Sequence, residues 1–254
     1  MRMKKFTAFC LAACLILASN AALAKTITLD KDTKLVPQGW TVADDDLKFK
    51  KNTSVTLNED GQVVQGVLAK AAYLRPAGWK NLVSNYYYVE SSAGFFPPRF
   101  FYHPFRPGLV IPADGHVRYM SNKPVNFAAD GTVSSGTIDN DVVLQLSDKG
   151  YGFVRFKNDT ELTFYADGKI KSGTLAEATR LRPLGWQHNL QDESAGFIEF
   201  KSGCAISFDE LGLVTNGSLN KKVLWYKADG SPQELVAKAP VEFTAEGAEQ
   251  GEIK

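Results

Sequence analysis

One pattern of aromatic, aliphatic and glycine residues returns four times along the chain, and it constrains the fold more than any other feature. Each copy begins at a large apolar residue, which is followed eight residues later by a second one and twelve residues later by a glycine. A second glycine comes five residues after the first. The copies begin at Phe49, Tyr119, Phe156 and Phe200. Because repeated units of this size bury their apolar faces against each other, the chain is expected to form one repeat domain.

The residues between these markers alternate between apolar and polar with a period of two, as in 153–156 and 161–164. Such alternation is typical of strands with one buried face. Asp167-Gly168 follows the second of these strands, and Asp-Gly is a strong signal for a tight hairpin turn. Only 69–72 and 176–178 permit a helix, and both are too short to form one alone. The sequence therefore predicts an all-β fold.

The repeat favours an elongated antiparallel β-meander or a β-solenoid-like sheet. A four- or five-bladed β-propeller is the alternative, because units of about 40 residues suit a four-stranded blade. The second glycine of each copy, such as Gly173, lies inside a strand pattern. That position predicts a bulge or a close backbone approach.

The pattern divides the chain into a single domain of residues 25–254, interrupted once. Three closing sequences of the form Pro-x-Gly-Trp end at Trp40, Trp79 and Trp186. The predicted segments are a partial unit (25–46), four units (47–79, 117–147, 153–186 and 197–226), a truncated unit (235–254) and an insertion (85–112).

Residues 1–24 have the features of a secretory signal peptide. A basic start is followed by an apolar stretch that is too short to span a membrane, and Ala22-Leu23-Ala24 forms a cleavage site. We therefore expect a periplasmic or secreted protein. A lipoprotein anchored at Cys14 is the alternative, since small residues precede that cysteine.

The insertion at 85–112 is dense in both aromatic residues and prolines. Prolines at this density exclude a helix or a central strand, and a long irregular loop in a compact domain is commonly functional. One interpretation is a binding surface, and the other is a cap over an open sheet edge. The candidate binding residues are Tyr87, Phe96, Arg99, Phe100, Tyr102, His103, Phe105 and Arg106.

No catalytic or metal motif is found. The three histidines lie in different segments, and no pair has the spacing of metal ligands. Carboxylates are available for a glycosidase pair, but nothing in the sequence selects two of them. They are Glu90, Glu161, Asp192, Glu193 and Glu199. We predict no cofactor and no catalytic residue, and the net charge of +1 gives no reason to expect a nucleic-acid partner.

The half-unit at 164–175 resembles the MORN-type repeats, including their bacterial antitoxin-like variants. The likeness rests on Phe164, Gly168, Ile170, Gly173 and Leu175. It implies successive hairpins, each with a turn glycine and a strand glycine, that form a contact surface without catalysis.

These observations predict a non-enzymatic binding or scaffolding module of the bacterial cell envelope, with its contact surface in the insertion. Cell-wall glycan or an envelope protein is the expected partner, and open sheet edges allow self-association. The alternatives are an envelope hydrolase that uses carboxylates near Glu90 and His103, and a passive structural spacer.

Overall fold

The computed structural model describes residues 24–41, 47–79, 115–146, 153–191 and 194–251, which contain 21 strands, numbered β1 to β21 in chain order. Eleven strands form one sheet, here called the main sheet. In spatial order they are β1 (Lys25–Thr28), β4 (Ser54–Leu57), β5 (Val63–Val67), β8 (Pro124–Phe127), β9 (Val133–Thr137), β12 (Glu161–Phe164), β13 (Ile170–Thr174), β16 (Ala205–Phe208), β17 (Val214–Ser218), β20 (Pro240–Phe243) and β21 (Ala248–Gln250).

The other ten strands form five two-stranded hairpins, here called the hairpin layer. They are β2 (Thr33–Leu35) with β3 (Leu47–Phe49), β6 (Ala72–Leu74) with β7 (Val117–Tyr119), β10 (Val142–Gln145) with β11 (Phe153–Phe156), β14 (Thr179–Leu181) with β15 (Ile198–Phe200), and β18 (Val223–Tyr226) with β19 (Pro232–Leu235). Every pairing between these strands is antiparallel.

The predicted all-β meander is confirmed, and the propeller alternative is wrong. A propeller requires separate four-stranded blades, whereas here each unit places two strands in one long open sheet and two in the hairpin layer. Each main-sheet hairpin pairs with the hairpin of the next unit, so the sheet grows without interruption. Among the elements that lie wholly within the described residues, the one that is not a strand is the 3-10 turn Trp186–His188.

One continuous apolar core lies between the main sheet and the hairpin layer. Rings from the hairpin layer meet rings of the following unit's main-sheet hairpin edge to face. Phe49 packs on Phe127 at 6.5 Å between ring centroids, and Phe156 packs on Phe208 at 6.4 Å. Such pairs stabilise by about 1 kcal/mol beyond the area they bury. The units are therefore joined by side-chain packing as well as by backbone hydrogen bonds.

The second glycine of each copy makes room for an aromatic ring. A Cβ at Gly173 would stand 2.6 Å from Cδ1 of Phe156, and one at Gly66 would stand 2.6 Å from Cδ1 of Phe49. The close approach at these glycines is therefore that of an aromatic ring to the glycine backbone. A bulge is present in the main-sheet hairpin of each of the four full copies, on the strand that carries the second glycine. Thr163 and Phe164 pair with Ser172 and Ile170, so Lys171 is the extra residue, two positions before Gly173.

Each closing sequence contacts the next two units of the chain. Pro183 forms a parallel bridge with Val214 on β17, while Gly185 lies against the carbonyl of Thr244 in the β20–β21 turn. The two earlier copies repeat this arrangement: Gly39 lies against the turn at Gly131, and Gly78 against the turn at Gly168. Each closing turn thus holds together two successive hairpins of the main sheet.

Tryptophan and arginine side chains complete these turns. The indole Nε1 of Trp40 donates a hydrogen bond to the carbonyl of Gly131 at 2.8 Å. The guanidinium of Arg182 stacks 3.9 Å from the ring centroid of Trp186, and its Nε donates to the carbonyl of Ala195. Arg75 stacks on Trp79 at the same distance. These contacts explain why the closing sequence carries an indole.

Candidate functional site

The contact surface predicted at 85–112 lies outside the described residues, and so do Asp192 and Glu193. All eight candidate binding residues belong to that segment, and their role stays a prediction. The predicted signal peptide lies outside the described residues up to residue 23.

A row of polar side chains, here called the polar row, crosses the outer face of the main sheet from edge to edge. Each strand contributes one member, and each member is the direct cross-strand partner of the next. The members are Thr26, Thr56, Gln65, Asn126, Ser135, Thr163, Ser172, Ser207, Asn216, Glu242 and Glu249. None of them is buried. At a strand spacing of about 4.8 Å, the row is roughly 50 Å long.

The residues along each strand explain why the row faces solvent. Side chains alternate between the two faces of a strand, so on the strand before each main-sheet turn the neighbours of the row member point into the core. Leu162 and Phe164 flank Thr163 in this way, and both are buried. The row is therefore a direct product of the period-two alternation in every unit.

Hydrogen bonds within the row hold several of its members in fixed orientations. The Nδ2 of Asn126 donates to the Oγ of Ser135 at 2.6 Å, and the hydroxyls of Thr163 and Ser172 are 2.7 Å apart. Nine of the eleven members are uncharged, and the two glutamates stand at the C-terminal edge. Ordered hydroxyl and amide groups both donate and accept, as the hydroxyl groups of a sugar do.

The outer face of the hairpin layer has a different chemistry. Large apolar side chains are exposed there at Tyr73, Phe153 and Leu224. Ion pairs lie beside them, including Arg118 with Asp139 and Arg155 with Asp141, each at 2.9 Å. The two faces of the molecule are therefore suited to different partners.

The shifted pKa values have local structural causes. Hydrogen bonds from Lys169 lower the pKa of the Asp167 carboxyl, and bonds from Ser231 lower that of Asp229; both aspartates lie in turns. Hydrogen bonds from Asn220 and Lys221 lower the pKa of Glu199. Burial raises the pKa of Tyr165, with help from the nearby charges of Asp209 and Glu210.

Of the five carboxylates considered for hydrolysis, the two that the structure describes lie in different layers. Glu161 lies in β12 of the main sheet, whereas Glu199 lies in β15 of the hairpin layer. Within the described ranges, no three His, Cys, Asp or Glu side chains are grouped so that they could hold a metal ion. No helix in the same ranges has the length and apolarity to cross a membrane.

A groove of about 490 Å³ opens between β15 and β18, at the boundary of two hairpins in the hairpin layer. Its wall includes Glu199, Lys221 and Lys222, and aromatic residues such as Phe197 and Trp225. Lys221 Nζ lies 3.1 Å from Oε2 of Glu199. No local sequence pattern indicates this groove, because its two walls are separated by more than twenty residues.

The polar row could have been found by aligning the copies. Thr56, Asn126, Thr163 and Ser207 all occur seven residues after the start of their copy. Gln65, Ser135, Ser172 and Asn216 all precede the second glycine. Small uncharged polar residues at two fixed offsets are the signal. One unit alone does not reveal this signal, because the two positions become neighbours only when adjacent strands pair.

Comparison with known proteins gives no relative: no family model, no curated protein and no solved structure matches this chain.

Proposed function

We propose that the protein is a non-catalytic binding module of the bacterial cell envelope that holds an extended, uncharged glycan on the polar row. The observation that carries the proposal is the continuity of the row across all eleven strands of the main sheet. An extended polymer can contact such a row at many successive rungs, so weak individual contacts add up along its length.

The chemistry of the row favours a glycan over a charged polymer. Hydroxyl and amide side chains can exchange hydrogen bonds with sugar hydroxyls, whereas a nucleic acid would call for a stripe of Lys and Arg. The central rungs, from Gln65 to Asn216, carry no charged residue in the row. Export to the envelope, which the signal peptide predicts, would place the row next to cell-wall glycan.

Co-sedimentation with purified peptidoglycan sacculi tests the proposal. A triple variant, Asn126→Arg, Thr163→Arg and Ser207→Arg, places a long charged side chain on three successive units of the row. We expect it to lose at least about tenfold in affinity, because each arginine blocks the approach of the polymer and removes a hydrogen-bonding group.

The matched control places the same side chain on the other layer. Tyr73→Arg, Phe153→Arg and Val236→Arg also change three exposed positions, and this variant should sediment like the wild type. Equal loss in both variants, or no sedimentation of the wild type, would contradict the proposal.

The same assay separates the remaining hypotheses. If Phe100→Ala with Tyr102→Ala abolishes binding and the row variant does not, the contact surface is the insertion. Release of soluble products from sacculi would favour the hydrolase alternative, and neither binding nor turnover would favour the passive spacer.

A further inference from the structure

The groove between β15 and β18 is bounded by two strand edges that are joined only at one end. At that end the Asn220 N–H donates to the carbonyl of Glu199 and the Lys201 N–H donates to the carbonyl of Ser218, both at 2.8 Å. Beyond these bonds the two strands do not pair, and the groove lies between them. Its closed end is therefore near Asn220.

The register of β18 with β19 fixes which backbone groups face the groove. The Lys227 N–H donates to the carbonyl of Ser231, and Pro232, which has no N–H, stands opposite Tyr226. Because alternate residues of a strand direct their backbone groups to opposite sides, Val223 and Trp225 bond to β19. Leu224 and Tyr226 direct theirs toward the groove.

One of these two positions is already occupied by an amide group. The Tyr226 N–H donates to Oδ1 of Asn189 at 2.8 Å, and Nδ2 of Asn189 donates to the carbonyl of Tyr226 at 3.0 Å. The side chain of Asn189 thus takes the place that a peptide group of an added strand would take. Leu224, two residues along the same edge and on the groove wall, presents the same pair of backbone groups.

Two lysines lie at the closed end of the groove, where their ammonium groups can donate to a further carboxylate. Among the described residues of the groove wall, Lys221 and Lys222 carry positive charge and Glu199 carries negative charge, and Lys221 pairs with Glu199 at 3.1 Å. Lys222 also pairs with Glu234, which is not on the groove wall, at 2.6 Å. Apolar surface from Phe197 and Leu224 lies on the same wall, whereas Trp225 is fully buried beneath it.

We propose that this groove binds the end of an extended peptide that carries a free C-terminal carboxylate. The peptide backbone pairs with the Leu224 N–H and carbonyl as an added strand, and its carboxylate lies at the closed end beside Lys221 and Lys222. An apolar side chain of the peptide packs on Phe197 and Leu224. This site is separate from the polar row, which lies on the main sheet.

The test uses the whole protein, labelled with ¹⁵N, and two libraries of acetylated tetrapeptides that differ only in a free or an amidated C-terminus. We expect the acid library to shift the Leu224 amide resonance and to bind about tenfold more tightly than the amide library, because a charge-assisted hydrogen bond is lost in the amide. Acetate alone should leave the Leu224 resonance unmoved, since it lacks a strand backbone.

Two variants divide the contributions. Lys221→Gln with Lys222→Gln should bring the acid library down to the affinity of the amide library, whereas Lys51→Gln with Lys157→Gln, two exposed turn lysines, should not. Leu224→Pro removes the N–H that faces the groove and should abolish binding of both libraries while the far-ultraviolet circular dichroism is kept. Leu224→Ala removes the apolar side chain, keeps that N–H and should weaken binding of both libraries without abolishing it.

The proposal is overturned if neither library binds, if acid and amide bind equally, or if the control lysines matter as much as Lys221 and Lys222. If the proline variant does not fold, the lysine variants and the resonance shifts still decide. Sacculus binding by the polar row is measured separately, so failure of one site leaves the other site's result readable.

Discussion

Tyr119 is the position at which one copy departs from the others in its chemistry. The other full copies have phenylalanine there, at Phe49, Phe156 and Phe200. Tyr119 is 1% exposed, and its hydroxyl finds no hydrogen-bond partner among the described residues. A buried hydroxyl without a partner costs about 1–3 kcal/mol of desolvation.

We predict that Tyr119→Phe raises the free energy of unfolding by about 1–2 kcal/mol, because it removes that unpaired hydroxyl and keeps the ring. Urea denaturation at pH 7 measures the change. Phe156→Tyr is the reciprocal control and should lower the free energy of unfolding by a similar amount. Equal stability of wild type and Tyr119→Phe would mean that the hydroxyl is satisfied.

The same substitution should change the response to alkaline pH. Burial raises the pKa of Tyr119 above its ordinary value of 10.0. Above that pH the tyrosine ionises in the unfolded state and not in the folded state, so stability is lost as pH rises. The stability advantage of Tyr119→Phe should therefore grow above pH 10 and stay constant below it.

At the scale of the strand, the glycine beneath each ring is a packing requirement. Gly173 has the ring of Phe156 above it, and a Cβ there would also stand 3.0 Å from Cδ1 of Leu162. We predict that Gly173→Ala lowers the free energy of unfolding by about 1–3 kcal/mol, because an added methyl overpacks the core. Thermal unfolding measures the loss.

Two further variants test this cause. Phe156→Leu in the Gly173→Ala background should recover part of the loss, giving a coupling energy in a double-mutant cycle. Ser172→Ala, the neighbouring residue on the solvent face, loses one hydrogen bond with Thr163 and should lower stability by no more than about 1 kcal/mol, with no coupling to Phe156→Leu. Additive effects of Gly173→Ala and Phe156→Leu would exclude the ring as the cause.

The positions of the strands can be predicted from the sequence more readily than which strands pair with each other. Alternation and turn glycines are local signals, so strands such as Phe153–Phe156 and Glu161–Phe164 could be placed from sequence. The pairing of β6 with β7 joins Leu74 to Val117 across the insertion, and β1 pairs with β4 past an intervening hairpin. Such contacts depend on the packing of the whole chain, which no local pattern contains. The groove lies between β15 and β18, which long-range contacts bring together, so no local pattern predicts it.

At the scale of the molecule, each closing turn packs against the main-sheet hairpins of the next two units. We predict that Gly185→Ala lowers stability by more than Gly203→Ala, by about 1–3 kcal/mol. Both glycines have positive φ, 78° and 72°, but a Cβ at Gly185 would stand 2.7 Å from the Thr244 carbonyl, whereas one at Gly203 would meet nothing within 4 Å. The difference therefore measures the docking contact.

Hydrogen exchange shows where the effect spreads. In Gly185→Ala, faster exchange is expected both near the Trp186–His188 turn and at the Gly247 amide, which lies in the β20–β21 turn. Gly203→Ala should leave both regions at wild-type rates. Faster exchange confined to the Trp186–His188 region would mean that the closing turn does not support the distant hairpin.

The parity of the main sheet limits how two molecules could join it into one. Its strand number is odd and its pairings are all antiparallel, so the edge strands β1 and β21 run in the same direction. A second copy that keeps its polar row on the same side of the sheet can therefore continue the antiparallel order only by placing like edge against like edge, about a two-fold axis perpendicular to the sheet. Two molecules joined in this way would carry both polar rows on one side of a continuous sheet, where one molecule of the proposed glycan could contact both.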